Sequence, residues 1–187
     1  HLTIINSTFK NNIGYDGGST YKFGSGIAIN TGSADFFDAY NITSIYTTID
    51  GCTFINNDQL DVYADKGHLN LTNCLFNKST CVYVPSASEN LTITYNITNN
   101  TFISPIGSSL YNSLSSKDNI TFALRLYGSY NYTIENNKVT NLTGTSSKTI
   151  ELYANHAVIK NNTVDRKITI NGEYNTIINN NITTTLD

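Results

Sequence analysis

Apolar positions in this chain fall into two kinds of short segment that alternate along it, and neither has a helical period. The first is a six-residue template, aliphatic-x-Asn/Gly-Asn/Ser/Cys-x-Phe/Val/Ile, starting at Ile4, Ile49, Leu71, Ile97, Ile134, Ile159 and Ile177. Its copies read IINSTF, IDGCTF, LTNCLF, ITNNTF, IENNKV, IKNNTV and IINNNI. The second alternates apolar and polar residues with period two, the mark of a half-buried strand. It occurs at Ile27-Ala28-Ile29, Leu60-Asp61-Val62-Tyr63, Val82-Tyr83-Val84, Leu124-Arg125-Leu126-Tyr127, Ile150-Glu151-Leu152-Tyr153 and Ile168-Thr169-Ile170. β-Branched residues dominate both segments and Asn is a poor helix former, so no substantial helix is expected.

Successive template starts lie 45, 22, 26, 37, 25 and 18 residues apart. The short spacings fit one turn of a solenoid and the long ones a turn carrying an insertion. Within each copy the aliphatic residue and the Phe, Val or Ile five positions later both point inward, an odd step that requires the two residues between them to bend the chain. Asn tolerates the left-handed conformation of such a bend, and its amide bonds local backbone. Stacked turns then align these amides into ladders in which each side chain satisfies the next.

The chain holds 28 Asn, 26 Thr and 17 Ser among 187 residues, with only 13% charged residues and no Met or Trp. Its net charge of −3 and scattered cations provide no basic stripe, so neither nucleic acid nor an anionic membrane surface is an expected partner. There is no run of about 18 apolar residues, so no membrane insertion is expected. With 39% hydrophobic residues and 13 Tyr the chain has enough to bury, unlike Asn-rich disordered tracts. The repeats resemble right-handed parallel β-helix repeats of the copper-maturation-protein and carbohydrate-binding type. With the Asn and Thr excess, the chain is similar to the Asn/Thr-rich adhesin-like surface proteins of methanogenic archaea. That resemblance implies an extracellular, cell-surface location and a role in attachment, and it supplies no catalytic residue.

Three segments interrupt the rhythm, at residues 10–26, 31–47 and 104–120, and insertions in a solenoid are where binding tends to live. The first two bring Tyr15, Tyr21, Phe23, Phe36, Phe37, Tyr40 and Tyr46 into neighbouring turns together with Asp16, Asp35 and Asp38. Of these, Tyr15, Tyr21, Phe36, Phe37, Tyr40, Asp35 and Asp38 form the candidate ligand site. Aromatic faces and carboxylates suit sugars, while the competing reading is a satellite core that holds the loops onto the coil. Tyr63, Tyr83, Tyr127 and Tyr153 each follow an inward aliphatic residue and are expected to form an outward column. Such a column either staples neighbouring rungs or offers a docking strip.

Cys52 and Cys74 share one template position in consecutive copies. On a parallel coil such residues stack about 4.8 Å apart, within reach of a disulfide. Two buried thiols in place of ladder residues are the alternative, and Cys81 is expected outward, free or available to another chain. Twelve Asn-x-Ser/Thr sites occur in the sequence, of which Asn70, Asn90, Asn119, Asn131 and Asn141 are the candidates for glycans on a secreted protein. Three scattered His and three Cys without paired spacing give no transition-metal site, and no cofactor is expected.

A polysaccharide-active β-helix enzyme needs clustered carboxylates beside a cation. Asp58, Asp61 and Asp65 around one strand, and Glu151 with Arg125 on a later face, are the candidates, read as a solvated edge or weak cation site in preference to catalysis. His68 and His156 occupy equivalent turns and are given a structural role there. Residues 1–187 are therefore expected to form a single all-β domain, a right-handed parallel β-helix of about seven turns and a piece of a longer surface protein. The expected function is non-catalytic, that of an adhesin or stalk whose partner is a surface glycan or protein receptor. The alternatives are a polysaccharide lyase or glycoside hydrolase, and a structural element that self-associates end to end into fibres.

Overall fold

The computed structural model describes residues 1–12, 27–30, 45–57, 60–65, 67–79, 82–84, 89–106, 122–142 and 148–183. Its strands form three parallel sheets, one per face of a parallel β-helix. The first sheet stacks β1 (Leu2–Ile5), β4 (Tyr46–Asp50), β7 (His68–Thr72), β10 (Glu89–Thr98), β13 (Ser129–Glu135), β16 (Val158–Lys160) and β19 (Thr176–Ile178). The second stacks β2 (Thr8–Lys10), β5 (Thr53–Ile55), β8 (Leu75–Asn77), β11 (Thr101–Ile103), β14 (Lys138–Thr140), β17 (Thr163–Val164) and β20 (Asn181–Ile182). The third stacks β3 (Ile27–Asn30), β6 (Val62–Asp65), β9 (Val82–Val84), β12 (Phe122–Tyr127), β15 (Lys148–Tyr153) and β18 (Ile168–Asn171). Seven template copies thus make seven turns. Among the described residues no helix is long and apolar enough to cross a membrane.

Each template straddles a corner, with its aliphatic residue next to last in a strand of the first sheet and its Phe, Val or Ile second in a strand of the second. The third template residue turns that corner in the left-handed region in every copy: Asn6, Gly51, Asn73, Asn99, Asn136, Asn161 and Asn179 have φ between 50° and 62°. The aliphatic residues stack in register, Ile4 on Ile49, Leu71, Ile97, Ile134, Ile159 and Ile177. Beside them Phe9, Phe54, Phe76 and Phe102 stack with ring centroids 5.1, 4.6 and 4.5 Å apart. Where Phe gives way to Val139, the buried Tyr130 and Tyr132 occupy the same stretch of interior, together with Tyr95 from the turn before.

The fourth template residue points inward and forms the expected ladder. The backbone N–H and side-chain amide of Asn100 both donate to Asn137 Oδ1 at 3.0 Å, and Asn137 does the same to Asn162 Oδ1 at 2.9 and 3.0 Å. Asn162 repeats the pattern on Asn180. Each ladder amide also donates to the carbonyl of the aliphatic residue one turn back, as Asn137 does to Ile97 at 2.8 Å. Every side-chain polar atom of the buried Asn100, Asn137 and Asn162 is thereby paired.

Cys52 and Cys74 occupy this ladder as free, buried thiols, which corrects the disulfide expectation in favour of its alternative. Cys52 Sγ lies 3.6 Å from the carbonyl of Ile4 and 3.5 Å from that of Asp50, and Cys74 Sγ 3.7 Å from that of Ile49 and 3.1 Å from that of Thr72; the Ile4 and Ile49 carbonyls are those that asparagine amides serve in other turns. The thiol keeps the donor the ladder requires, and burial raises the Cys74 pKa to about 12. Cys81 lies outside the described residues. A second left-handed corner follows the second sheet, at Asn11, Asn56, Lys78, Ser104 and Asn141, and its varied residue types left it invisible in the sequence.

Candidate functional site

The outer face of the third sheet concentrates the chemistry that the coil does not use for itself. Register places Ala28, Tyr63, Tyr83, Arg125, Glu151 and Thr169 in one row, and Tyr127 and Tyr153 in the next. The tyrosines therefore form no single straight column: the line steps sideways by two residues between β9 and β12. Contact is kept across the step, since Tyr63 and Tyr83 meet edge to face at 6.0 Å and Tyr83 meets Tyr127 likewise at 6.1 Å. Tyr127 and Tyr153 then stack nearly parallel at 4.9 Å. Tyr63 and Tyr83 also cover a small outer cluster of Leu60 and Phe122.

The step opens a place that charged residues fill. Glu151, only 2% exposed, takes Lys148 on one carboxylate oxygen and lies 3.0 Å from Arg125 Nε on the other. The Nε–H itself is directed at the Tyr127 hydroxyl, 3.0 Å away, so the contact with Glu151 is an ion pair and no directed hydrogen bond. The guanidinium sits 4.8 Å from the Phe122 ring centroid and 5.3 Å from that of Tyr127. A buried carboxylate flanked by two cations is compensated, and removing either cation would leave charge exposed to a poor environment. Desolvation is the largest effect on the Tyr127 phenol and raises its pKa.

This arrangement limits what the face can do. The parallel rings of Tyr127 and Tyr153 hide their inner faces against each other, the Tyr127 hydroxyl accepts from Arg125, and the Tyr153 hydroxyl lies 3.4 Å from Glu151 Oε1. Stacking between turns is therefore their first role, and hydroxyl-rich ligands would meet phenol oxygens and the charged step more readily than flat ring faces. Arg125 and Glu151 lie on one face, as expected, and there they form an ion pair.

The acidic cluster is corrected. Asp61 is fully buried at the corner before β6, where Asn57 Nδ2 donates to its Oδ1 at 2.9 Å, and Asp58 lies outside the described residues. It belongs to a short second ladder in which Asn12 donates to Asn57 Oδ1 at 3.0 Å and the Ser79 hydroxyl bonds Asp61. Its Oδ2 has no partner among the described residues. Burial raises its pKa well above the usual carboxylate value of 3.8. A raised folded-state pKa means stability is full below the unfolded value and is lost as pH climbs toward the folded one. Asp61→Asn is therefore expected to raise the thermal midpoint at pH 7 by several degrees, at about 2–4 °C per kcal/mol for a chain of this size, with the difference closing at pH 3. Midpoints of both proteins across that pH range check it, and an equal difference at both ends would contradict it.

The candidate loop residues Tyr15, Tyr21, Phe36, Phe37, Tyr40, Asp35 and Asp38 lie outside the described residues. Tyr46, expected in the second insertion, opens β4 and stacks on His68 at 4.1 Å. His68 Nδ1 accepts the Thr94 backbone N–H at 3.1 Å, and His156 stacks on Tyr174 at 5.1 Å. Of the candidate glycan sites, Asn131 and Asn141 are exposed, Asn70 is half-buried on β7, Asn90 lies on β10 and Asn119 is outside the described residues. The sequence reading missed the buried Tyr95, Tyr130 and Tyr132, although counting back by two from Ile97 and Ile134 places Tyr95 and Tyr132 inward. Among the described residues no group of three His, Cys, Asp or Glu side chains could hold a metal ion. No family model, curated protein or solved structure matches the chain.

Proposed function

We propose that the chain is a non-catalytic stalk segment of an extracellular surface adhesin, a stiff rod that carries binding loops clear of the cell. The observation that carries this reading is the continuity of three interior columns. The aliphatic stack runs through all seven turns, the fourth-position ladder runs beside it, and the Phe stack spans the first four. Each turn bonds only its neighbours, so bending means breaking a whole rung of hydrogen bonds at once. The segments of irregular length enter between the second and third sheets, or after the third, and leave these columns intact. Long excursions on an uninterrupted scaffold are the arrangement in which loops bind and the coil positions them.

The test is a glycan-array and whole-cell binding screen of the folded chain beside the variant Phe36→Ala, Phe37→Ala, Tyr40→Ala. Saturable binding that is lost in the variant is expected. New reducing ends or shortened chains in a polysaccharide incubated with the protein would overturn the non-catalytic reading, and folded protein that binds nothing would withdraw the attachment.

A further inference from the structure

The twelve Asn-x-Ser/Thr sites are unevenly placed once the chain is coiled. Ten lie among the described residues, and none of the ten is on the third sheet. Asn6, Asn99 and Asn161 all turn the corner between the first and second sheets, at φ 50°, 58° and 56°. Asn70, Asn96 and Asn131 lie on the first sheet, and the other four on the first two sheets or their ends.

Their side chains are not equivalent. Asn96 Nδ2 donates to Asn70 Oδ1 at 2.7 Å across neighbouring strands, and both residues are half-buried. Asn6, Asn99, Asn131, Asn141, Asn161 and Asn181 are exposed. A glycan attached to Nδ2 needs that nitrogen in solvent and not committed to a bond within the sheet, a condition these six meet and Asn96 does not. At Asn99 and Asn161 the hydroxyl two residues on, Thr101 or Thr163, is the first residue of the next strand.

We propose that Asn6, Asn99, Asn131, Asn141, Asn161 and Asn181 carry N-linked glycans, so that sugar clothes the first two faces of the rod and leaves the tyrosine-bearing third face bare. The proposal rests on the extracellular reading above, because the donor, a polyprenyl-diphosphate-linked oligosaccharide, is a reagent of secretory membranes. In the transfer the asparagine Nδ2–C1 bond forms, the C1–O bond to the diphosphate breaks, the amide proton is released and the polyprenyl diphosphate leaves.

The full chain is secreted from a glycosylating host, purified folded, and deglycosylated enzymatically in heavy-oxygen water, which leaves each formerly occupied asparagine as a labelled aspartate. Majority labelling of the six exposed sites is expected, with labelling of Asn96 at least tenfold lower. Equal labelling of Asn96, or none at the six exposed sites, would overturn the proposal. The variant with all six of these asparagines changed to Gln is expected to lose most of the attached mass, and an unchanged mass would also overturn it. Because the host supplies the secretory route, failure here leaves the stalk reading standing, and failure of cell binding leaves this one standing.

Discussion

Asn137→Leu is expected to cost about 3–6 kcal/mol, the largest loss from a single ladder position, because it removes a side chain that serves three turns at once. Leu matches Asn in branching and side-chain heavy-atom number but is bulkier, so overpacking of the enclosed ladder adds to the lost hydrogen bonds. Without the amide, the Asn100 backbone N–H loses its acceptor and the Ile97 carbonyl loses its donor, and both atoms are enclosed in the coil. The Asn100 side chain keeps its bond to the Leu71 carbonyl at 3.0 Å and loses the one to Asn137. Each buried orphan costs about 1–3 kcal/mol. Asn137→Cys is expected to cost less, since Cys52 and Cys74 show that a thiol at this position reaches the same carbonyl. At the adjacent exposed corner, Asn136→Gly is expected within about 0.5 kcal/mol of wild type, because glycine adopts φ 55° freely. Urea unfolding of the three variants checks the order, and a loss below about 1 kcal/mol for Asn137→Leu would contradict the ladder's role.

Phe76→Ala is the second large effect, at about 3–5 kcal/mol. Phe76 is fully enclosed between Phe54 and Phe102, with interplanar angles of 3° and 8°, so neither neighbour can tilt into the space without breaking its own stack. The rungs are fixed by backbone bonds on all three faces, which prevents the cavity from collapsing. Phe76→Leu retains most of the volume and loses the ring contacts, so a smaller cost of about 1–2 kcal/mol is expected. Thermal or urea unfolding reads both, and equal costs for the two variants would contradict a close-packed stack.

The coil was legible in the sequence because its two commonest devices are chemically narrow. A left-handed corner selects Asn or Gly, and a stacked interior selects the same apolar residue in turn after turn, so seven copies could be aligned by eye. The second corner was not legible, since Lys78 and Ser104 adopt the same backbone as Asn11 and Asn56 without sharing their chemistry. Register explains the misplaced tyrosines. Tyr83 and Tyr127 both follow inward aliphatic residues, but Tyr83 pairs with Arg125, a relation that only alignment of Val82 with Leu124 reveals. Asp61 was misread for a related reason: alternation assigns it outward as part of a strand, whereas it precedes β6 and turns inside at the corner. The fate of the two ladder cysteines turned on a preference between thiol–carbonyl bonds and a disulfide, which spacing alone leaves open.

The central claim is an unbroken, in-register rod, and a single distance tests it. Thr8, Thr53, Leu75, Thr101, Lys138 and Thr163 form one column on the second face, five steps from end to end. Spin labels at Thr8→Cys and Thr163→Cys, in a chain with Cys81→Ser, are expected to give one narrow distance population near ~24 Å, from a rise of about 4.8 Å per turn. A broad distribution, or a maximum displaced by more than about two rungs of 4.8 Å, would mean that the turns neither stack in this register nor hold one another rigid.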